Sequence, residues 1–205
     1  MAVDAGADAV GFVFYEKSPR CVTVETAREI VAKLPESVEK VGVFVNQNED
    51  TLCDVADRAG LTGIQMHGDD EDPHVADLVV SKRPKLRVLS AISMLRPRPD
   101  AWAMMWLPDV IHAFLLDSGD SSKHGGTGQP FDWRASVPLV DNIKKVGRVV
   151  AAGGLTPRNV AEAVEVLTPW GVDVASGVEA RPGKKDPEKV RAFVRAVREM
   201  DRKAS

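Results

Sequence analysis

RVVAAGGLTPRNVAEAVEVLTPWGVDVASGVE, residues 148–179, carries the pattern that decides the fold. An apolar run, Arg148 to Gly154, closes on two glycines. An amphipathic stretch follows behind Thr156-Pro157, a good N-cap and first-turn pair, and runs through Leu167. A second apolar run, Gly171 to Gly177, closes on Ser176-Gly177. Strand, glycine turn, helix, strand is the repeating unit of a parallel α/β sheet.

The unit recurs upstream. Further strand candidates are AVGFVF (9–14), KVGVFV (40–45), GIQMH (63–67), LRVLSAI (86–92) and AFLLDS (113–118). Their hydrophobicity is nearly continuous, as expected of strands buried on both faces. Thr23–Leu34 reads as a helix with Ala27, Ile30, Val31 and Leu34 on one face and Pro35 after it. Asp50–Ala59 ends at Gly60, another helix starts near Asp132-Trp133, and Asp186-Pro187-Glu188 opens the last one. Residues 96–110 are rich in proline and leave room for only about two helical turns. Gly6 reads as the glycine that ends a helix, so the first visible strand is preceded only by a helical stub.

Strand ends separate a barrel from an open sheet. Polar or glycine-rich residues stand where nearly every strand stops: Lys17-Ser18-Pro19-Arg20, Asn46, His67-Gly68-Asp69, Asp117, Gly153-Gly154 and Ser176-Gly177. A barrel builds its site from the C-terminal ends of many strands, whereas an open sheet concentrates it at one switch point. The pattern predicts a single α/β domain over 1–205, a TIM-type (β/α)8 barrel with about seven βα units visible.

Composition narrows the function. Hydrophobic residues make up 44% of the 205 and charged ones 28%, the balance of a soluble globular protein. A net charge of -3 offers no basic footprint for nucleic acid. No apolar stretch approaches a membrane span, and the N-terminus lacks a signal-peptide pattern. Cys21 and Cys53 match no disulfide framework or zinc spacing, so a reducing cytoplasm is the expected setting, without nucleic-acid or membrane partners.

The two glycine-bearing turns are candidate anion cradles, because glycine lets backbone N–H groups approach phosphate oxygens. Either turn alone reads equally well as a chain reversal; the pair on consecutive final strands matches a barrel phosphate site. Asp117 closes a strand ahead of a loop holding Gly125-Gly126-Thr127-Gly128, where partial desolvation would suit a general acid. Its alternative is a strand-end cap. Arg20 is a candidate carboxylate clamp or a surface arginine. His67 and Gln65 end another strand; His67 has no second ligand at helical metal spacing. Asp173 faces the barrel interior or is structural, Asp132 is expected to cap a helix, and Trp133 to pack.

Taken in order, AGADAVGFVFYEKSPR, KVGVFVN, IQMHGDD, LLDS with HGGTGQPFDW, AAGGLTPRNV, and GVDVASGVE with PGKKDPEKVRAF resemble the phosphoribosylanthranilate isomerases of tryptophan biosynthesis. The likeness runs from Ala5 nearly to Phe193 and is weakest over 96–110. It implies a cofactor-free and metal-free Amadori rearrangement of N-(5-phosphoribosyl)anthranilate to 1-(2-carboxyphenylamino)-1-deoxyribulose 5-phosphate, by a monomer or homodimer. It implies Asp117 as the acid, Arg20 as the carboxylate clamp, and Gly153, Gly154, Ser176 and Gly177 in the phosphate loops. Gln65, His67, Gly126 and Asp173 are secondary candidates.

One departure stands out. The family's base is a cysteine on a Lys-Ile-Cys-Gly-Ile-Thr-like first strand, which this sequence does not contain. The expectation is a natural protein about 15 to 20 residues longer, with little activity in the chain as written and unpaired edges at Val10–Phe14 and Val172–Ala175. The alternatives are a non-catalytic or partner-completed phosphate-binding barrel, or another phosphosugar enzyme such as an epimerase or indole-glycerol-phosphate-type synthase. The latter is disfavoured because no strand end carries a catalytic lysine.

Overall fold

In a computed structural model, residues 1–67, 73–94, 110–119 and 129–204 are described. Seven parallel strands pair in chain order: β1 (Ala9–Val13), β2 (Glu39–Val45), β3 (Gly63–His67), β4 (Arg87–Ser93), β5 (Ile111–Asp117), β6 (Arg148–Ala151) and β7 (Gly171–Val172). The sheet curls into a half-barrel with helices outside it: α1 (Val24–Val31), α2 (Glu49–Ala59), α3 (Pro73–Lys82), α4 (Trp133–Lys144), α5 (Val160–Leu167) and α6 (Pro187–Ala204). A short antiparallel hairpin, β8 (Glu179–Arg181) with β9 (Lys184–Lys185), follows the 3-10 turn Ser176–Val178.

Strand alternation sorts side chains between two cores. Phe44, Ile64, Val88, Phe114, Leu116 and Val149 point outward into the main cluster beneath the helices. Leu89, Ala91, Ala113, Leu115, Val150 and Ala152 form a smaller cluster within the curve. The register skips His112, since Val88 pairs with Ile111 but Leu89 pairs with Ala113. This bulge re-aims the chain at the start of β5.

Local signals place the helices. Thr23 accepts from the Thr26 N–H, Asn48 from Thr51 and Asp132 from Ala135, each cap contributing roughly 1 kcal/mol. Asp186 accepts from Glu188 and Lys189 at the start of α6. Gly60, at φ 72°, closes α2. Gly6 donates to the Val3 carbonyl and Ala7 to Ala2, the hydrogen-bond pair of a Schellman motif, with Gly6 at φ 97°. The glycine therefore ends a helical turn, as expected.

Two expected boundaries move. Helix α5 begins at Val160 rather than at Thr156; Thr156-Pro157 forms the preceding turn, in which the Thr156 hydroxyl accepts from Arg158. Strand β7 is only two residues long, because pairing stops where the chain turns into the 3-10 segment. Among the described residues no strand joins β1 to β7. The upper end of the outer β1 edge is covered by its own loop: Val13 bridges to Cys21 and accepts from the Val22 N–H at 3.0 Å.

Candidate active site

Asp117 is the last residue of β5 and stands at the C-terminal end of the sheet. Its Oδ1 accepts from the Gly119 N–H at 3.1 Å, while the Ser93 hydroxyl donates to the Gly119 carbonyl at 2.8 Å. The turn after β6 lies against it. Gly153 and Gly154 have φ 71° and 66°, values that favour glycine. A Cβ on Gly153 would sit 2.7 Å from Asp117 Oδ1 and collide with the Ser118 backbone and hydroxyl. A Cβ on Gly177 would collide with the Leu155 carbonyl oxygen. Asp117 and both glycine turns thus lie together, stacked in the order Asp117, Gly153–Leu155, Gly177. The Ser118 hydroxyl beside Gly153 is buried without a hydrogen-bond partner among the described residues.

Arg20 reaches the same end from the loop after β1. Its Nε donates to Glu179 Oε1 at 2.8 Å and its Nη2 to Oε2 at 2.7 Å. The Glu179 side chain is 4% exposed and that of Arg20 22%. Hydrogen bonding to Arg20 holds the Glu179 carboxyl below the usual carboxylate range and raises Arg20 further. Lys185 donates to the Ala175 carbonyl at 2.7 Å and lies 3.5 Å from Glu179 Oε1. Burial pushes the Lys185 amino group down, and the charges of Glu179 and Asp173 partly restore it. Gly183, at φ 78°, turns the β8–β9 hairpin so closely onto Pro19 that a Cβ there would meet the Pro19 carbonyl at 3.0 Å. Glu179 and Lys185 were not among the residues expected from sequence. Pro182-Gly183, a type II turn signal between short segments, was the available pointer to their hairpin.

Asp173 follows β7, its N–H bonded to the Ala151 carbonyl at 2.9 Å. Its side chain is open to solvent, with Asp117 and Lys185 near enough for their charges to act on it. Desolvation by the protein around it, then the charge of Asp117, raises the Asp173 carboxyl above the usual range. Gln65 and His67 touch through Nε2 of each at the end of β3. Gly126 lies outside the described residues. Cys53 is a core residue of α2 whose thiol burial pushes up, whereas Cys21 is exposed. Asp132 caps α4 and Trp133 is buried in the core. Among the described residues no group of three His, Cys, Asp or Glu side chains is disposed to hold a metal ion, and no helix is long and apolar enough to cross a membrane.

The family model for N-(5'phosphoribosyl)anthranilate (PRA) isomerase matches residues 1–196. The chain belongs to this family. The N-(5'-phosphoribosyl)anthranilate isomerase of Geobacter sp. strain M21 is 45% identical over 201 residues, covering 98% of this chain and 92% of the relative. The crystal structure of the Thermotoga maritima phosphoribosyl anthranilate isomerase superposes with a TM-score of 0.84 at 38% identity, covering 97% of this chain and 91% of that one. A further structure of a phosphoribosyl anthranilate isomerase, in complex with reduced 1-(o-carboxyphenylamino)-1-deoxyribulose 5-phosphate, matches with a TM-score of 0.81 at 36% identity, with the same coverage.

Proposed function

We propose that this isomerase-family protein catalyses the Amadori rearrangement of N-(5-phosphoribosyl)anthranilate to 1-(2-carboxyphenylamino)-1-deoxyribulose 5-phosphate, in one barrel-type domain. The observation that carries the assignment is the contact between the Asp117 carboxyl and the glycine turn after β6. This contact supports the reading, because a phosphorylated sugar opened by acid requires a proton donor beside an anion cradle.

Asp117 protonates the ribose ring oxygen; the C1–O bond breaks as the anilino nitrogen lone pair forms the iminium. Transfer of the C2 proton to a general base, in the family a cysteine on a strand that this sequence does not contain, gives an enolamine, which tautomerises to the 2-keto product. Backbone N–H groups of Gly153, Gly154, Ser176 and Gly177 receive the phosphate, where several donors converge without side-chain cost. Arg20 receives the anthranilate carboxylate, and Gln65, His67 and Asp173 line the sugar side. The C2 proton is assigned to neither described cysteine. Cys53 is locked in the core, and the Cys21 thiol bonds the neighbouring Val22 carbonyl at 3.9 Å.

The test is calorimetric binding of reduced 1-(o-carboxyphenylamino)-1-deoxyribulose 5-phosphate, beside a chromatographic assay of substrate conversion. Binding of the intact analogue with none to anthranilate alone supports the assignment. Equal binding of unrelated phosphosugars would assign the mouth to another phosphosugar reaction.

A further inference from the structure

A guanidinium has two edges that can each hold a carboxylate bidentately: the side edge of Nε and one Nη, and the end edge of both Nη atoms. Glu179 occupies the side edge of Arg20 with bonds of 2.8 and 2.7 Å. Among the described residues no hydrogen bond takes up the end edge, Nη1 with the second Nη2 hydrogen, which is the edge a ligand carboxylate would meet. We propose that Glu179 is a positioning residue, fixing the Arg20 guanidinium so that its end edge faces the anthranilate carboxylate. This assignment rests on Arg20 as the carboxylate clamp.

Three features support it. First, Glu179 is nearly inaccessible and lies in the β8–β9 hairpin, itself pinned to Pro19 through Gly183, so the carboxylate is a rigid anchor. A long arginine held at only one point would lose rotamer freedom on binding; one already gripped does not. Second, the charges are suitably placed. Arg20 and Glu179 offset each other, and the Lys185 amino group, 3.5 Å from Glu179 Oε1, stands beside the pair to favour an incoming carboxylate. Third, Arg20 and Glu179 are 159 residues apart and come from the loops after β1 and β7. The clamp therefore takes shape only once both edges of the sheet are in place.

The test measures affinity for two ligands by titration calorimetry: the reduced analogue above, and the same molecule lacking the ring carboxylate. Glu179→Gln keeps the volume and removes the charge. Its expected effect is ~10-fold weaker binding of the carboxylated analogue, the scale of one charged hydrogen bond, with the decarboxylated analogue unchanged. Glu179→Asp should recover part of the loss, and Glu179→Gln should add nothing to Arg20→Ala. Equal weakening toward both ligands would make Glu179 merely structural and overturn the proposal; so would an intact carboxylate preference in Glu179→Gln when Arg20→Ala has lost it. Arg20→Ala alone decides the underlying assignment: an unchanged preference there removes the clamp, and the positioning role with it. Should Glu179→Gln unfold, as read by circular dichroism, Glu179→Asp answers the same question.

Discussion

The two ends of the sheet are built on opposite terms. At the N-terminal end of the strands, the charged side chains pair with one another or with rings. Glu39 pairs with Arg87, and Arg148 lies 3.2 Å from His112 Nε2 and 5.1 Å over the Trp170 ring. Burial, then Arg148 and Arg87, lowers the His112 pKa, so this end holds a neutral imidazole among cations. At the C-terminal end, two carboxyls, Asp117 and Asp173, repel each other, and Gly153 and Gly154 hold left-handed conformations. The first end looks arranged for stability, the second for a ligand; in barrels the C-terminal face carries the chemistry.

The sharpest break in this comparison is Asp117→Asn. Turnover should fall about 10²–10⁴-fold while affinity for the reduced product analogue changes little, because only the proton is lost. Equal loss of binding would mean that Asp117 holds the ligand rather than serving as the acid. Next comes Gly177→Ala, which forces a methyl into the Leu155 carbonyl. Overpacking of this kind costs about 1–3 kcal/mol, read as a lowered Tm, with weakened binding of the phosphorylated analogue.

Asp173→Asn should go the other way and raise Tm at neutral pH. Its folded pKa lies above the unfolded one, so the folded state binds the extra proton. The destabilisation is absent below about pH 3.9, the ordinary Asp value, grows as pH rises toward the folded pKa, and is complete above it. The gain from Asn should therefore vanish in acid; a gain that persists there would indicate a packing effect. The smallest effect belongs to the opposite end. Trp170 is 60% exposed, so Arg148→Ala should cost about 0.5–1 kcal/mol, with conversion of substrate unchanged. A strong loss of activity would erase the distinction between the two ends.

Much of this was legible in the residues. Continuous apolar runs placed the seven strands of the parallel sheet, though not the β8–β9 hairpin, and Asp132, Asp186 and Gly60 marked helix ends by local hydrogen bonding or φ alone. Asp117, Gly153 and Gly177 were visible because strand-end chemistry sits beside its strand in sequence. Glu179 and Lys185 were not, because their role depends on contact with a loop some 160 residues away, which no periodicity encodes. The cluster of His112, Arg148 and Trp170 was hidden for the same reason, together with a bulge that no residue type announces. Helix α3 has only a weak apolar stripe, and Asp173 could be placed near Asp117 only once the strand order was known.

The bare α-carbon at Gly153 has a consequence for how such a mouth can change. With no room for even a methyl group between the turn and Asp117, the proposed proton donor meets the proposed anion cradle at bare main chain. A side chain at residue 153 has no place there unless the turn or its neighbours shift. On the proposed reading, adapting the site to a longer or shorter sugar would call for residues inserted into the turn or a shift of one strand against its neighbour.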